Sequence, residues 1–313
     1  MAPPAPPTPG AATPRRRLRP PRLLSYVDAV ARHGSIRKAA DALNVASSAL
    51  NRQILDLELD LNTALFERLP RGVRLTAAGE MFLGYARQAI SELKAVESRL
   101  EQLRGLVRGE VAVAAVESVA EELLPDAISR FQAAHPNVRF HVRIGVPEEV
   151  GAALIADQVD LILTHSPPPK KSATIAATAP QVLCALMAAD HPLAGRNSLR
   201  LRDCLVYPLA LGDASLAGRA LIERVLAQAS FELYPRLISN SVETMKTFAR
   251  MNRGVCFQFR MPGKTVVASG NMIAVPLADA ALSEARLYLA TRRGRVLPVA
   301  AAAFVDLVET TLS

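Results

Sequence analysis

The sequence predicts a multidomain protein, in which an N-terminal all-α domain with helix-turn-helix geometry precedes a long helix and a C-terminal α/β part of two lobes. Three observations predict this fold. The chain has 313 residues, of which 50% are hydrophobic, and this is enough to form the cores of about two domains. Apolar residues recur at helical spacing as far as residue 105. From Gly109 onward, short apolar strands alternate with helices.

Three short helices are predicted near the N-terminus. The first begins after Pro21 and ends at Gly34, and Ser35 is placed to cap the second, over residues 36–43. A tight turn then leads into a third helix. Its apolar face is formed by residues spaced 4, 3 and 4 apart, namely Leu50, Ile54, Leu57 and Leu61. Two helices joined by such a turn form a helix-turn-helix.

A small hairpin, or wing, is predicted after the third helix. Pro70, Arg71 and Gly72 form its turn, between Arg68–Leu69 and Val73–Leu75.

A long helix follows from Thr76 to Gly105. Its apolar residues have the 3, 4 spacing of a heptad seam, in the order Ala86, Ala89, Leu93, Val96, Leu100, Leu103 and Val107. A helix of about 30 residues is about 45 Å long, more than a small domain needs. We therefore expect it to pair with a second copy of the chain, and packing on its own domain is the alternative.

The C-terminal part reads as two α/β series. The predicted strands are 111–116, 138–144, 159–164, 204–211, 235–239, 254–259 and 285–291, with helices between them. Alternation of this kind predicts parallel pairing and two lobes joined by two crossovers. In such folds, ligands bind between the lobes, beyond the carboxyl ends of the strands.

Basic charge is concentrated at the N-terminus. The net charge is +8, of which residues 1–108 carry +7 and residues 109–313 carry +1. Five of the charges come from Arg15, Arg16, Arg17, Arg19 and Arg22, in a stretch that holds eight of the 22 prolines. We expect that tail to be disordered. Its arginines either attract phosphate loosely or are simply solvated, and the first third of the chain is the candidate for a polyanion partner.

Composition and motifs exclude several classes of protein. Cys184, Cys204 and Cys256 form no CxxC pair, so neither a disulfide framework nor a zinc ribbon is expected, and Cys256 is predicted to be buried and inert. No apolar run approaches the 18–20 residues of a membrane span, and no secretory signal is recognised. These observations predict a cytoplasmic protein that does not use the membrane as a partner.

The sequence also lacks the signals of an enzyme. None of the five histidines, His33, His135, His141, His165 and His191, has a partner at metal-ligand spacing, and we predict neither a metal nor a cofactor. There is no G-x-S-x-G, P-loop or G-x-G-x-x-G motif. Glu121–Glu122 and Glu148–Glu149 are interpreted as acidic residues in first helical turns.

Residues 34–79 resemble the winged helix-turn-helix of LysR-type transcriptional regulators. The matching residues, in register, are Gly34–Ser35, Ala39–Ala40, Leu43, Val45, Arg52–Gln53–Ile54, Leu57–Glu58, Leu65–Phe66, Arg68, Leu75–Thr76 and Ala78–Gly79. Further along the chain, Leu123–Pro125, Phe131, Pro136 and Val159–Asp160 continue the likeness. The resemblance covers residues 20–313 and leaves the tail outside.

The resemblance implies a division into domains. Residues 1–19 are the tail, 20–80 the DNA-binding domain, 81–108 the linker helix for dimerisation, and 109–313 a periplasmic-binding-protein-like effector domain. Within that domain, lobe I is about 109–185 and 285–313, and lobe II is about 186–284.

The chain departs from the family pattern in three places. Asn62 replaces a glycine, and asparagine is the next-best residue for a left-handed backbone. Ser47 and Asn51 replace a common glutamine and serine on the DNA face, so the base preference is expected to differ. Phe257 and Phe259 replace small apolar residues and make the edge of the second lobe's cleft bulkier.

Residues for DNA binding are predicted on the third helix and around it. Short or forked polar groups off its apolar stripe suit base edges and phosphates in the major groove, and asparagine can pair with adenine. The predicted contacts are Ser35, Arg37, Ser47, Ser48, Asn51, Arg52, Arg71 and Arg74. Ser35 and the wing arginines are assigned to the DNA backbone, and the alternatives are an N-cap and an exposed polar surface.

Effector-binding residues are predicted at strand ends that face the cleft. These are Ser118, Thr164, His165, Asp213, Ser215, Ser241 and Phe257. By resemblance, Ser118 is a position where a hydroxyl meets an effector, often an anionic one, although it would also serve as an N-cap. His165 is expected to titrate near neutral pH and bind a carboxylate, and Phe257 either walls the ligand or belongs to the core.

The resemblance implies a sequence-specific transcriptional regulator that is not an enzyme. A homodimer, assembled further into a homotetramer, would bind double-stranded DNA at an interrupted inverted repeat, and a small-molecule effector between the lobes would change their orientation. The alternative is a two-lobed solute-binding or enzymatic protein with no role in transcription.

Overall fold

In the computed structural model of the protein, the described residues are 20–102, 109–229, 231–261, 266–267, 271–282 and 285–313. The predicted tail, and Leu103 and Val107 of the predicted seam, lie outside them. The chain divides into two compact units, Met1–Leu100 and Glu101–Ser313.

The first unit contains a helical core and a two-stranded wing. Its elements are α1 (Arg22–His33), α2 (Ile36–Leu43), α3 (Ser47–Asp60), β1 (Phe66–Leu69), β2 (Gly72–Leu75) and α4 (Ala77–Gln102). Val27, Val30, Leu50 and Ile54 are fully buried where α1, α2 and α3 meet. The two strands of the wing pair antiparallel, with Phe66 opposite Leu75.

Turns and caps in this unit follow from local sequence. Gly34 has φ +60°, and its neighbour Ser35 caps α2 by accepting a hydrogen bond from the Lys38 amide at 3.4 Å. Asn44 and Asn62 have φ of 53° and 48°. The left-handed turn expected at Asn62 is therefore present, because asparagine tolerates this backbone better than other non-glycine residues.

Side chains from the family motif fix the ends of the wing. Glu58 Oε1 accepts hydrogen bonds from the amides of Leu65 and Phe66 at 2.7 and 2.9 Å. Thr76 Oγ1 donates to the Ala64 carbonyl at 2.7 Å and accepts from the Gly79 amide at 3.0 Å. These residues therefore position the wing between α3 and α4.

The second unit contains two sheets with helices packed on them. The first group of elements is β3 (Gly109–Ala115), α5 (Glu117–Ala120), α6 (Leu123–Ala134), β4 (Val138–Ile144), α7 (Pro147–Ile155), β5 (Leu161–Thr164) and β6 (Ala173–Pro180). The second group is β7 (Val182–Ala188), β8 (Leu209–Gly212), α8 (Ala217–Leu226), β9 (Leu237–Ser239), α9 (Val242–Met251), β10 (Val255–Arg260), β11 (Val266–Val267) and β12 (Met272–Pro276). The chain ends with β13 (Arg286–Arg292) and α10 (Val299–Leu312).

Each sheet defines one lobe. Lobe I is built on a five-stranded sheet of order β4-β3-β5-β13-β6, and lobe II on a six-stranded sheet of order β11-β12-β7-β10-β8-β9. The chain crosses between them at Gln181 and again over residues 277–285, and the Gln181 amide donates to the Ala285 carbonyl at 2.9 Å. The two crossings are thus hydrogen-bonded to each other.

The sheets are mixed rather than parallel as expected. β3 pairs parallel with β4 and β5, and β8 pairs parallel with β9 and β10. However, β13 pairs antiparallel with β5 and β6, and β7 pairs antiparallel with β10 and β12. The strands β6, β7, β11 and β12 were not predicted. β6 and β7 flank the first crossing directly, and β12 precedes the second crossing, which contains the short 3-10 helix Ala280–Leu282.

A buried charge network closes one end of lobe I. Arg295 lies 2.9 Å from Asp157 Oδ1 through Nη1 and 2.6 Å from Asp160 Oδ1 through Nη2. Asp160 Oδ2 accepts from the Ala112 amide of β3 at 2.7 Å. Asp160 of the family motif therefore joins the start of β5 to β3 and to the chain after β13.

No described helix is both long enough and apolar enough to cross a membrane.

Candidate functional site

One candidate surface is the polar face of α3. Leu50, Ile54 and Leu57 are buried, as their spacing predicted, and Ser47, Ser48 and Arg52 are exposed. Asn51 is half-buried, and its Oδ1 is covered without a hydrogen-bond partner among the described residues. The Asn51 amide would have to rotate outward to contact a base. The base would then supply the hydrogen-bond partner that Oδ1 lacks.

The wing arginines differ in their surroundings. Arg74 Nη2 lies 2.6 Å from Glu67 Oε2 across the hairpin, although both side chains are more than half exposed. Arg71 is exposed at the turn and has no ion pair or hydrogen bond within the described chain. An exposed pair contributes about 0–1 kcal/mol, so Arg74 can exchange Glu67 for phosphate at little cost. Arg37 is exposed on α2, and Ser35 serves as the cap described above.

The predicted pairing seam on α4 is buried at one end and exposed at the other. Ala86 is fully buried in a single chain, while Ala89 and Leu93 are half-buried. Val96 and Leu100 are 49% and 47% exposed. The exposed residues of the predicted seam therefore lie toward the C-terminal end of α4, whereas Met81 and Tyr85 are exposed near its start.

The second candidate site is a cavity between the two lobes, here called the interlobe cavity. Its apolar lining comes from both sheets and includes Val116, Leu183, Leu216, Ile222, Phe257 and Phe259. Its polar lining is Glu117, Ser118, His165, Arg219 and Gln258. Three of the predicted effector residues, Ser118, His165 and Phe257, are thus brought together here. The bulky Phe257 and Phe259 both line it.

Three other predicted residues line an adjoining cavity. Asp213, Ser215 and Ser241 lie there with Glu149 and Asn240. The two cavities share Glu117, Gly145 and Leu216.

Thr164 lines neither cavity, in contrast to the prediction. Its side chain is fully buried, and its Oγ1 accepts from the Ser166 amide at 3.3 Å. Every residue of β5 is buried, so the side chain at its end has no open face to turn to.

Ser118 and His165 form a hydrogen-bonded pair. Ser118 Oγ lies 2.7 Å from His165 Nε2, and His165 Nδ1 lies 3.2 Å from the Arg286 carbonyl oxygen. A carbonyl only accepts, so we assign the proton to Nδ1, and Ser118 donates to Nε2. Ser118 lies inside α5 rather than at its N-cap, which is Val116.

His165 is neutral at physiological pH, and the expectation that it titrates near pH 7 is wrong. Desolvation lowers the pKa of His165 to about 4, and the hydrogen bond to the Arg286 carbonyl offsets only part of this effect. Its ring packs on Phe259 with centroids 4.3 Å apart. An imidazole enclosed in this way is a neutral hydrogen-bonding group and not a cation for a carboxylate.

The low pKa of His165 predicts loss of stability in acid. The folded pKa is about 4 and the unfolded pKa is about 6.5, so the unfolded chain binds the extra proton between these values. The free energy of unfolding should therefore fall by about 3 kcal/mol as the pH drops from 6.5 to 4, and should be insensitive to this group above 6.5. Urea unfolding at several pH values measures it. His165→Asn should flatten the dependence of the unfolding free energy on pH between 4 and 6.5. His141→Asn, at an exposed site, is the control and should leave this dependence unchanged. Equal slopes for His165→Asn and the unmodified protein would contradict the assignment.

Three acidic side chains of lobe I reach groups of lobe II. The Glu117 carboxylate accepts from the amides of Val242 and Glu243, at 2.7 and 3.0 Å, at the start of α9. Glu121 lies 2.7 Å from Lys246 Nζ, and Glu122 lies 2.9 Å from Arg260 Nη2. The interpretation of Glu121–Glu122 as acids of a helical first turn was wrong, because Glu121 is the C-cap of α5 and Glu122 is the N-cap of α6. Both form ion pairs across the cleft instead.

Sequence reasoning did not single out Glu117, Arg219 or Gln258 for the cavity. Glu117 resembles any acidic residue at a helix start. Gln258 lies within an apolar strand, and a polar residue in such a strand could have indicated a functional site.

All three cysteines are buried, as predicted for Cys256. Burial raises the pKa of Cys184 to about 11 and the pKa values of Cys204 and Cys256 to about 12. The thiolate forms are therefore suppressed.

The fold and the sites define a class of protein that joins a winged helix-turn-helix to a two-lobed ligand-binding domain. Residues 21–80 match the family of bacterial regulatory helix-turn-helix proteins of the lysR type, and residues 104–313 match the LysR substrate binding domain. The chain belongs to the LysR family of transcriptional regulators. Members of this family are regulators and not enzymes, which removes the enzymatic alternative.

Two relatives are similar over nearly their whole length. The SDS degradation transcriptional activation protein of Pseudomonas sp. (strain ATCC 19151) is 30% identical over 295 residues, which are 92% of this chain and 94% of that protein. The RuBisCO operon transcriptional regulator of Allochromatium vinosum is 28% identical over 287 residues, with the same coverage.

Solved structures share the fold. A full-length OxyR variant from Pseudomonas aeruginosa has a TM-score of 0.66 at 20% identity, covering 92% of this chain and 96% of that one. Full-length CbnR in complex with its target DNA has a TM-score of 0.54 at 21% identity, covering 93% and 99%.

Proposed function

We propose that the protein is a cytoplasmic transcriptional regulator that binds an interrupted inverted repeat in DNA as a homodimer. Two dimers assemble into a homotetramer, and an effector bound in the interlobe cavity controls DNA binding. The observation that carries the DNA-binding part is the α3 face, where exposed Ser47, Ser48 and Arg52 flank a buried apolar stripe. Such a helix fits a major groove about 12 Å wide. The CbnR structure contains target DNA, which supports the same use of this fold.

The domain division proposed for this function follows the sequence analysis. Residues 20–80 bind DNA, 81–108 pair the subunits, 109–313 bind the effector, and 1–19 are a tail without an assigned role.

Asn51 is expected to determine base preference, and Arg71 is expected to bind phosphate. Asn51→Ala should relax base preference at one position of each half-site by about 1–3 kcal/mol, because a bidentate contact to adenine is lost. Arg71→Ala should weaken binding to all sequences alike and lower the salt slope by about 1. The measurement is selection of binding sites from random DNA, followed by gel-shift titration at several salt concentrations.

The matched control for these variants is Gln88→Ala, on an exposed part of α4 away from both elements. Unchanged operator binding in both the Asn51 and Arg71 variants would contradict the assigned DNA face, and a selected site without two related half-sites would contradict the dimer.

The pairing of subunits is expected to depend on the exposed end of α4. Val96→Glu should place a charge in an apolar dimer interface and convert the dimer to a monomer, as measured by sedimentation velocity. Lys94→Glu introduces the same side chain at an exposed position outside the seam and should leave the dimer intact. Equal association of the two variants would exclude this face as the interface.

Effector control is proposed to act through the orientation of the two lobes. A ligand between lobe I and lobe II shifts the balance of two arrangements only if it binds them with different affinities. In a tetramer, such a shift would change the spacing of the two DNA-binding dimers. DNase footprints with and without a bound effector test this, and identical footprints would overturn it.

A further inference from the structure

We propose that three carboxylates of lobe I form a latch that holds the two lobes together when no effector is bound, and that an effector acts by displacing one of them, Glu117. The other two are Glu121 and Glu122, and the three side chains are here called the interlobe latch. The role given to the effector rests on the proposed function, whereas the latch itself does not.

The two lobes have separate apolar cores. The buried apolar side chains form one cluster in lobe I and two clusters in lobe II. The chain connects the lobes at Gln181 and over residues 277–285. Lobes that are joined by two short connections can move about them as rigid bodies, with each core intact. Contacts across the cleft therefore decide which arrangement of the lobes is populated.

Glu117 attaches lobe I to the start of the ten-residue helix α9 in lobe II. Its carboxylate accepts hydrogen bonds from the amides of Val242 and Glu243 at 2.7 and 3.0 Å, and from Ser241 Oγ at 3.4 Å. The first amides of a helix have no partner within the helix, and the helix dipole favours negative charge there. Glu117 therefore supplies, from the other lobe, an acceptor that these amides need.

Two ion pairs with buried cations complete the latch. Glu121 Oε1 lies 2.7 Å from Lys246 Nζ, and Glu122 Oε1 lies 2.9 Å from Arg260 Nη2. The side chains of Lys246 and Arg260 are 4% and 5% exposed, so salt and water screen these pairs little. If the acids are removed, the joined arrangement keeps two cations buried without these partners, and separation of the lobes hydrates them.

The latch can open without stranding its charges in the interior. Glu121 and Glu122 are 16% and 22% exposed, so both carboxylates already lie close to solvent. Lys246 Nζ also lies 3.0 Å from Glu243 on its own helix, and it retains this anion when Glu121 leaves. These contacts therefore suit a reversible switch between two arrangements.

Glu117 is the member of the latch that a ligand can reach. It lines both the interlobe cavity and the adjoining cavity, whereas Glu121 and Glu122 belong to neither lining. The interlobe cavity has a volume of about 50 Å³ and the adjoining cavity about 480 Å³. Small-molecule sites usually measure about 300–1,000 Å³. An effector of that size that extends from the adjoining cavity into the interlobe cavity must therefore displace Glu117 and separate the lobes.

A distance across the mouth of the cleft tests the latch without any ligand. Spin labels on Glu148→Cys in lobe I and Ala214→Cys in lobe II occupy exposed positions next to residues that line the adjoining cavity. The three native cysteines are buried, so the labels attach to the introduced ones. Double electron–electron resonance on the full chain, mixed with an excess of unlabelled chain, should give one narrow distribution of distances. A broad distribution in this ligand-free protein would overturn the proposal.

Replacement of the three acids should release the lobes. The latch variant combines Glu117→Gln, Glu121→Gln and Glu122→Gln, and its mean distance should be longer by about 5 Å or more. A control variant removes the same number of charges from exposed positions of lobe I and should keep the original distance. Its substitutions are Glu110→Gln, Asp126→Asn and Glu309→Gln. Equal distances in the two variants would overturn the latch.

Glu117→Ala gives a second test, because it leaves both ion pairs in place if the triple variant does not fold. It should shift the distances toward longer values and make the Val242 and Glu243 amides exchange with solvent at least 10-fold faster. Glu149→Ala removes an exposed acid that lines the adjoining cavity and should change neither quantity. An unchanged distance or an unchanged exchange rate in Glu117→Ala would contradict the role of Glu117.

The link between the latch and the effector is tested at the operator. Glu117→Ala should change the DNase footprint of the full chain in the absence of any effector, because it imitates displacement of the carboxylate. A longer interlobe distance with an unchanged footprint would overturn this link and leave the latch in place. Absence of sequence-specific DNA binding by the unmodified protein would instead overturn the proposed function, and the distances across the cleft do not depend on that result.

Discussion

Arg295→Met should lower the free energy of unfolding by about 3–5 kcal/mol, because it removes the cation 2.6–2.9 Å from two buried acids and leaves Asp157 with the more distant Arg292, at 3.5 Å. Arg295 is 11% exposed, and its two carboxylate partners, Asp157 and Asp160, are 3% and 7% exposed. Its guanidinium also donates to the Val159 carbonyl at 2.7 Å. The substitution therefore leaves two buried acids and a backbone acceptor without this partner.

Urea unfolding of Arg295→Met and Arg293→Met measures this effect. Arg293 is two residues away and exposed, so its replacement removes the same charge from the chain with an expected cost below about 0.5 kcal/mol. A cost for Arg295→Met that matches the control would mean that the network contributes nothing to stability. Since the network joins β3, β5 and the chain after β13, we expect the loss to appear in the unfolding of the second unit.

Gly79→Ala should abolish stable folding of the DNA-binding unit, although alanine is the better helix former. A Cβ at residue 79 would lie 2.0 Å from the Leu65 carbonyl oxygen and 2.9 Å from the Leu75 side chain. The contact with Leu65 is to backbone, so it can be relieved only by moving α4 away from the wing. We expect a cost of about 3 kcal/mol or more, beyond the usual range for overpacking.

Gly84→Ala is the matched control for Gly79→Ala on the same helix. A Cβ at Gly84 has no neighbouring atom within 4 Å. There the helix propensity of alanine should act alone and stabilise the unit by about 0.5–1 kcal/mol. In thermal unfolding, the melting temperature should fall for Gly79→Ala and rise for Gly84→Ala. Operator binding should be lost in the first variant and retained in the second. Similar behaviour of the two variants would show that α4 and the wing are not packed as closely as described.

Local sequence was sufficient for the first unit because its geometry depends on neighbouring residues. Gly34, Ser35 and Asn44 define the ends of α1 and α2 through backbone conformation and a single cap, and each can be predicted within a few residues. Gly79 was recognised only as part of a motif. The physical reason for it, a carbonyl 14 positions earlier in the chain, requires the folded wing.

The second unit was predicted less completely because its pairing is not local. The strand β6 has small residues with mixed burial, so it lacks a period-2 pattern, and its partner β13 is more than 100 residues away. The antiparallel pairs follow from the two crossings, which no local pattern encodes.

The sequence predicted a binding site between the lobes but not the hydrogen bonds among the residues that line the interlobe cavity. Ser118 and His165 were singled out separately as strand-end residues, and the fold brings them within 2.7 Å. Glu117 and the start of α9 are 125 positions apart, so their hydrogen bonds could not be read from either segment. The side-chain direction of Thr164 was not predictable either, because β5 is buried on both faces.

The position of β13 in the sheet of lobe I has a consequence for biosynthesis. β13 lies between β5 and β6, which pair with each other only through it, and it is formed from residues 286–292. The strands of lobe II, in contrast, come from one continuous stretch, residues 182–276. Since a chain leaves the ribosome from its N-terminus, lobe II can complete its sheet while lobe I still lacks a central strand. The interlobe cavity, which needs both lobes, can then form only after residues 286–292 have been made.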